Sequence, residues 1–153
     1  MKILITVLSF LISIQLFAYC NKNSEVTSGH NNVLNTDTMK LKITIGTNTF
    51  TVALYNNTTA AAFKEKLPLT INMSELNGNE KYFDLPNSLP SNASNPGTIQ
   101  AGDVMLYGSN TLVLFYKTFS TPYNYSRIGR IDNSSGLAVA LGSGNKTVKF
   151  ELE

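Results

Sequence analysis

The chain has no tryptophan, one cysteine and one histidine among its 153 residues, and only 14% of them are charged. A lone cysteine, Cys20, excludes an internal disulfide. One histidine, His30, and one N-terminal cysteine offer no metal-ligand spacing. No run of Lys or Arg occurs and the formal charge is only +2, so the basic footprint that nucleic acid requires is missing. The scarcity of charge also speaks against long, salt-bridged helices. Asn, Ser and Thr carry much of the polarity instead, a composition that favours strands and turns. At this length the chain builds one domain around a single core rather than two.

What is present begins with an export pattern. Lys2 precedes an apolar stretch, Ile3 to Ala18, interrupted only by Thr6, Ser9, Ser13 and Gln15, so residues 1–19 read as a signal peptide. The stretch falls short of the ~20 residues that span a bilayer, and a polar, Asn-rich segment follows it. Cys20 closes it and resembles the acceptor cysteine of a bacterial lipoprotein, cleaved just before Cys and acylated. Tyr19 departs from the small residue usual at that place, which keeps ordinary secretion or an uncleaved anchor open as alternatives. Residues 20–39 lack any apolar period and read as a flexible tether, with His30 inside it.

From residue 40 the pattern changes. Lys40 to Ile45 and Thr49 to Leu54 alternate polar and apolar across a Gly-containing turn, which predicts a β-hairpin. Asn56, Asn57 and Thr58 offer N-cap side chains to a short helix from Thr59 to Leu67, stopped by Pro68. Strands are expected at Leu69–Met73, Lys81–Leu85, Asp103–Tyr107, Thr111–Tyr116, Arg127–Ile131 and Thr147–Leu152. A second small helix is expected at Leu137–Leu141, and residues 86–96 form a long Pro- and Asn-rich loop. Many short strands with two small helices imply a mainly β, closed barrel, in which the last strand pairs with the first hairpin and leaves no open edge.

These segments resemble cyclophilins. Thr49-Phe-Thr-Val-Ala-Leu-Tyr-Asn-Asn-Thr-Thr-Ala-Ala-Ala-Phe63 looks like their opening strand, turn and helix. Arg127-Ile-Gly-Arg-Ile131 followed by Gly136-Leu-Ala-Val-Ala-Leu141 is similar to a later strand and helix, and Ala101–Met105 with Leu112–Tyr116 fits the middle of the barrel. Leu67–Met73, Asn79–Phe83 and Asn95–Ile99 resemble segments of a bacterial cyclophilin-like family, so the likeness covers residues 40–153. It implies a cyclophilin-like β-barrel with two short helices. The prolyl-isomerase machinery is not matched, however. The stretch from Leu67 to Phe83 that stands in place of the isomerase segments contains no Arg, and Tyr125 falls where the isomerase His would stand. Neither Leu nor Thr can replace a guanidinium that donates to a prolyl nitrogen.

The remaining candidates follow from position. Arg127 and Arg130 are the only arginines. Three residues apart on one strand, they should point to opposite sides, with one in a groove and the other solvated or paired with Asp132. Glu80 and Asp84 share a strand face and read as solvated. Gly142-Ser-Gly144 precedes a strand rather than a helix, which argues against a phosphate cradle. A serine nucleophile lacks a base, since the domain has no His. The aromatic residues Tyr107, Phe115, Tyr116, Phe119, Tyr123 and Tyr125 either fill the barrel or furnish a groove. The resulting expectation is an exported, lipid-tethered, noncatalytic binding or accessory module. Its outer-face groove would be formed by Met73, Tyr82, Leu112, Tyr125 and Arg127 and would take a peptide or small-molecule ligand. The membrane would be reached through Cys20, with no metal, no cofactor and no nucleic acid. The alternatives are a divergent peptidyl-prolyl isomerase of the cell envelope and a small-molecule enzyme using the aromatic pocket.

Overall fold

Lys40-Leu-Lys-Ile-Thr-Ile45 sends every second side chain to one side. In the computed structural model, which describes residues 40–153, that alternation forms strand β1 (Lys40–Ile45) with Leu41, Ile43 and Ile45 fully buried. The signal peptide assigned to residues 1–19, Cys20, and the tether with His30 lie outside the described residues.

Strand β2 (Asn48–Leu54) completes the first hairpin, and helix α1 (Thr58–Lys64) follows it. Asn57 caps α1, its side chain accepting from the Ala60 N–H at 2.8 Å, which satisfies one of the amides that a helix start leaves unpaired. Strands β3 (Leu69–Leu76) and β4 (Glu80–Asp84) form a second hairpin, β5 (Thr98–Ile99) follows the long loop, and β6 (Asp103–Tyr107) and β7 (Thr111–Phe115) form a third. The chain ends with β8 (Phe119–Ser120), β9 (Tyr125–Ile131), helix α2 (Leu137–Leu141) and β10 (Lys146–Leu152).

Eight strands close into an antiparallel barrel in the order β1-β10-β3-β4-β7-β6-β9-β2. Closure comes from β10, which pairs with β1 on one side and β3 on the other, so the barrel has no exposed edge. The interior is filled by aliphatic side chains with Phe63 and Phe150 in edge-to-face contact at 5.7 Å. Phe63 belongs to α1, which therefore plugs one mouth of the barrel.

The predicted elements are present, with ends differing by at most three residues, and one pair was not foreseen. β5 and β8 form a separate two-stranded ribbon, Thr98 opposite Ser120 and Ile99 opposite Phe119. This ribbon lies over the outside of the barrel wall. It creates a second buried cluster of Ile99, Met105, Val113, Phe115 and Tyr125, against which Tyr82 and Phe119 pack. The near-continuous apolar runs of β6 and β7 follow from this, because both faces of those strands are covered. The long loop is tied down as well: Thr59 donates its hydroxyl to the Pro90 carbonyl at 2.7 Å, and Ser126 Oγ accepts from the Asn92 N–H at 2.8 Å.

Candidate functional site

The outer face of the barrel carries a cavity of about 530 Å³ between β4, β7 and the segment Phe119–Tyr123. Its position follows from strand register. Asn77 and Gly78 turn the β3–β4 hairpin with positive φ at both residues (56° and 66°), the conformation that suits Asn and Gly at a tight turn. This sets Leu76 opposite Glu80 and Ser74 opposite Tyr82. Glu80, Tyr82 and Asp84 then share the outer face of β4, opposite Phe115, Val113 and Thr111 of β7. Lys81 and Phe83 take the inner face.

Five aromatic rings line the cavity: Tyr82, Tyr107, Phe119, Tyr123 and Tyr125. Four of them, Tyr107, Phe119, Tyr123 and Tyr125, contact one another directly or through Phe115, with Tyr107 5.5 Å from Tyr125 and 6.1 Å from Tyr123, and Phe115 5.5 Å from Tyr125 and 5.8 Å from Phe119. Edge-to-face and tilted contacts of this kind hold rings in fixed orientations. The lining contains two carboxylates, Glu80 and Asp84, and no Lys, Arg or His. Asp84, at the rim, accepts from the Thr111 hydroxyl at 2.6 Å.

Glu80 differs from Asp84 in both respects that matter. It is only 9% exposed, and among the described residues its carboxylate has neither an ion pair nor a hydrogen-bond donor. Burial, then the neighbouring Glu75 charge, push its carboxyl above the usual range. The Tyr125 hydroxyl is likewise pushed up, by burial first and then by the Glu80 charge. The reading of Glu80 as solvated is therefore corrected: the β5–β8 ribbon and the turn before β4 cover the strand face on which it sits.

The sequence-predicted groove residues separate into three groups. Tyr82 and Tyr125 line the cavity. Met73 and Leu112 are fully buried in the barrel interior, because their strand phase is opposite to that of Tyr82 and Val113; neither presents a side chain to the outer groove. Arg127 is on the outer face but outside the cavity, donating to the Tyr55 hydroxyl at 3.3 Å and stacking over that ring at 5.7 Å. Tyr107, Phe119 and Tyr123, named as possible groove aromatics, also line the cavity, whereas Glu80, Val113 and Ser120 to Pro122 are cavity residues that sequence reasoning passed over as a site. The hairpin turn and two-residue alternation would have placed Glu80 beside Tyr82, but nothing local foretells the ribbon that covers them.

The two arginines also depart from expectation. Val104 faces Gly129 whereas Met105 faces Arg127, so Ile128 is the extra residue of a β-bulge. An extra residue shifts the phase by one. Arg127 and Arg130 consequently project on the same side, and Arg130 pairs with Asp103 at 3.6 Å rather than with Asp132, which pairs with Lys40. Burial raises the Asp103 carboxyl, against the Gln100 N–H and the charges of Arg130 and Arg127. Gly129 is required at the bulge, since a Cβ there would lie 2.7 Å from Val52 and 2.9 Å from the Ala53 carbonyl.

Inside the barrel, Lys81 is fully buried. It pairs with Glu75 and donates to the Gly142 and Gly144 carbonyls at 3.0 and 2.6 Å. Tyr116, counted above among the groove aromatics, instead donates to Glu75 at 2.6 Å. Burial would raise the Glu75 carboxyl, but hydrogen bonds from Lys81 and Tyr116 outweigh it and hold the group below its usual range. The Gly142–Gly144 turn thus offers its carbonyls to a lysine.

A closed antiparallel barrel with an aromatic groove on its outer wall defines the class of this domain. The chain belongs to the cyclophilin-like family, whose model matches residues 43–152. A solution structure of a hypothetical protein from Archaeoglobus fulgidus is 23% identical over 80% of this chain and 98% of that one, with a TM-score of 0.49. No curated protein matches the chain.

Proposed function

We propose that this protein is a noncatalytic binding module that captures its ligand in the outer-face cavity. The observation that carries the reading is that, among the described residues, no cationic side chain lines the cavity. Prolyl isomerisation has a barrier of about 20 kcal/mol, and the isomerases that the sequence resembles lower it with a guanidinium that donates to the prolyl nitrogen. Both arginines are committed elsewhere, Arg127 to Tyr55 and Arg130 to Asp103. A cavity of this volume, largely aromatic with a few polar groups, suits a small molecule or one side chain of a peptide.

Export and tethering belong to the same proposal and rest on the sequence of residues 1–20. A lipid on Cys20 would hold the barrel at a membrane surface, with residues 20–39 as the spacer. The Cys20→Ala variant should leave the membrane fraction for the soluble one; unchanged membrane association would refute lipidation.

The competing reading, a divergent envelope peptidyl-prolyl isomerase, is decided by a proline-peptide isomerisation assay on the purified protein. The binding reading predicts the uncatalysed rate, with relaxation over tens of seconds at 25 °C. Acceleration well above that rate, lost on Arg127→Ala, would overturn it.

A further inference from the structure

Glu80 sets a chemical requirement on whatever fills the cavity. A carboxylate on a largely buried residue is ordinarily paired or hydrogen-bonded, because taking a charge even partly out of water is costly. Glu80 is 9% exposed and lines the cavity, yet among the described residues nothing donates to it. Its charged neighbours do not supply the missing partner. On β3, Glu75 is a second negative charge and is already engaged by Lys81 and Tyr116. On β4, Lys81 points to the opposite face and is taken by Glu75 and two carbonyls. On β9 the titratable group facing Glu80 is the Tyr125 hydroxyl.

The surroundings narrow the class of ligand further. Asp84 lies two pleats along the same face, roughly 13 Å away at the usual rise per residue, with Tyr82 between the two carboxylates. Four more rings surround this stretch. Aromatic faces attract cations, most strongly where water is excluded, and carboxylates add a charge of the same preference. Among the described residues, no lining side chain carries a positive charge to pair with an anion.

Resting on the binding reading above, we infer that the cavity recognises an organic cation: an ammonium group carried on an apolar stem, with the ammonium against Glu80 and the stem among Tyr82, Tyr107, Phe119, Tyr123 and Tyr125. A free amine and the side chain of a peptide lysine both offer this chemistry.

The test measures binding of three probes to the purified protein by NMR titration: 2-phenylethylammonium, the neutral 2-phenylethanol, and the anionic phenylacetate. The ammonium should bind at least tenfold more tightly than the alcohol, and phenylacetate should not bind. Glu80→Gln should reduce ammonium affinity to the level of the alcohol while leaving alcohol affinity unchanged, which shows that the variant is folded. Asp84→Asn, at the rim, should give a smaller loss. A blocked Gly-Lys-Gly peptide identifies the source. Affinity equal to or above that of the free amine marks a peptide lysine, and a tenfold deficit marks a small molecule. Equal binding of ammonium and alcohol, unaffected by Glu80→Gln, overturns the cation assignment and leaves the binding module intact. Failure of all three probes also overturns it, while the isomerisation assay decides the binding reading separately.

Discussion

Glu80 and Lys81 are adjacent on one strand and both buried, yet they sit on opposite sides of the barrel wall in opposite chemical circumstances. Lys81 faces inward and has Glu75 and two glycine carbonyls as partners. Glu80 faces outward, under the β5–β8 ribbon, into an aromatic cavity with no partner among the described residues. The inner group is what a finished structure does with a buried charge, and its role is to fix the turn before β10 against β3 and β4. The outer group opens into the cavity with no partner among the described residues, and perturbed groups in a cleft concentrate where ligands bind.

Substitutions can break this contrast, and the largest effect should be on the inner side. Lys81→Met leaves two buried-side carbonyls unpaired and takes from Glu75 its cation, so unfolding stability should drop by about 3–5 kcal/mol, measured by denaturant titration. Leu112→Ala, also inner, should cost about 2–5 kcal/mol through the cavity it opens, without altering affinity for a probe in the outer cavity. A change in probe affinity there would mean that the two faces are coupled. The ordering should reverse for Tyr82→Ala, which weakens ligand binding more than it weakens the fold.

The contrast is sharpened by pH. Burial and Glu75 raise the folded-state carboxyl of Glu80 above its ordinary value of 4.5, so the folded protein holds that proton to higher pH than the unfolded chain does. Stability must then fall as pH rises through the window above 4.5, and recover on acidification toward it. Asp103 is raised in the same direction, so the quantity to measure is the difference between wild type and Glu80→Gln across pH 4.5–7.5. That difference should move in favour of the variant as pH rises above 4.5 and level off once the folded-state carboxyl is ionised. A difference independent of pH would mean that the carboxyl titrates normally. The smallest effect is expected at Arg127. Its contact with Tyr55 is half-exposed, so Arg127→Ala should cost about 1 kcal/mol or less and leave probe affinity in the cavity unaltered.

Much of the fold was legible because its signals are local. Period-two alternation marks β1, β2 and β10, Asn57 caps α1, and Gly-containing turns punctuate the hairpins; together these imply closure by the last strand. The site was only half legible. Tyr82 and Tyr125 are legible through their aromatic character, whereas the inward faces of Met73 and Leu112 follow from register, through the Asn77-Gly78 turn for Met73 and from the pairing of β7 with β4 for Leu112. The phase of Arg127 against Arg130 is inverted by one extra residue, Ile128, whose bulge no propensity announces. The β5–β8 ribbon pairs two residues with two others about twenty positions away, a contact set by tertiary packing. Without that ribbon Glu80 would be the solvated residue its sequence context describes.

The most direct test of this account is the melting temperature of the unliganded Glu80→Gln protein at pH 7.5, compared with wild type. An uncompensated carboxylate held for a ligand predicts that the neutral amide melts higher, by about 2–5 °C for a gain near 1 kcal/mol. A variant that melts lower would show that the Glu80 charge supports the fold, and would remove the grounds for reading the outer cavity as a site.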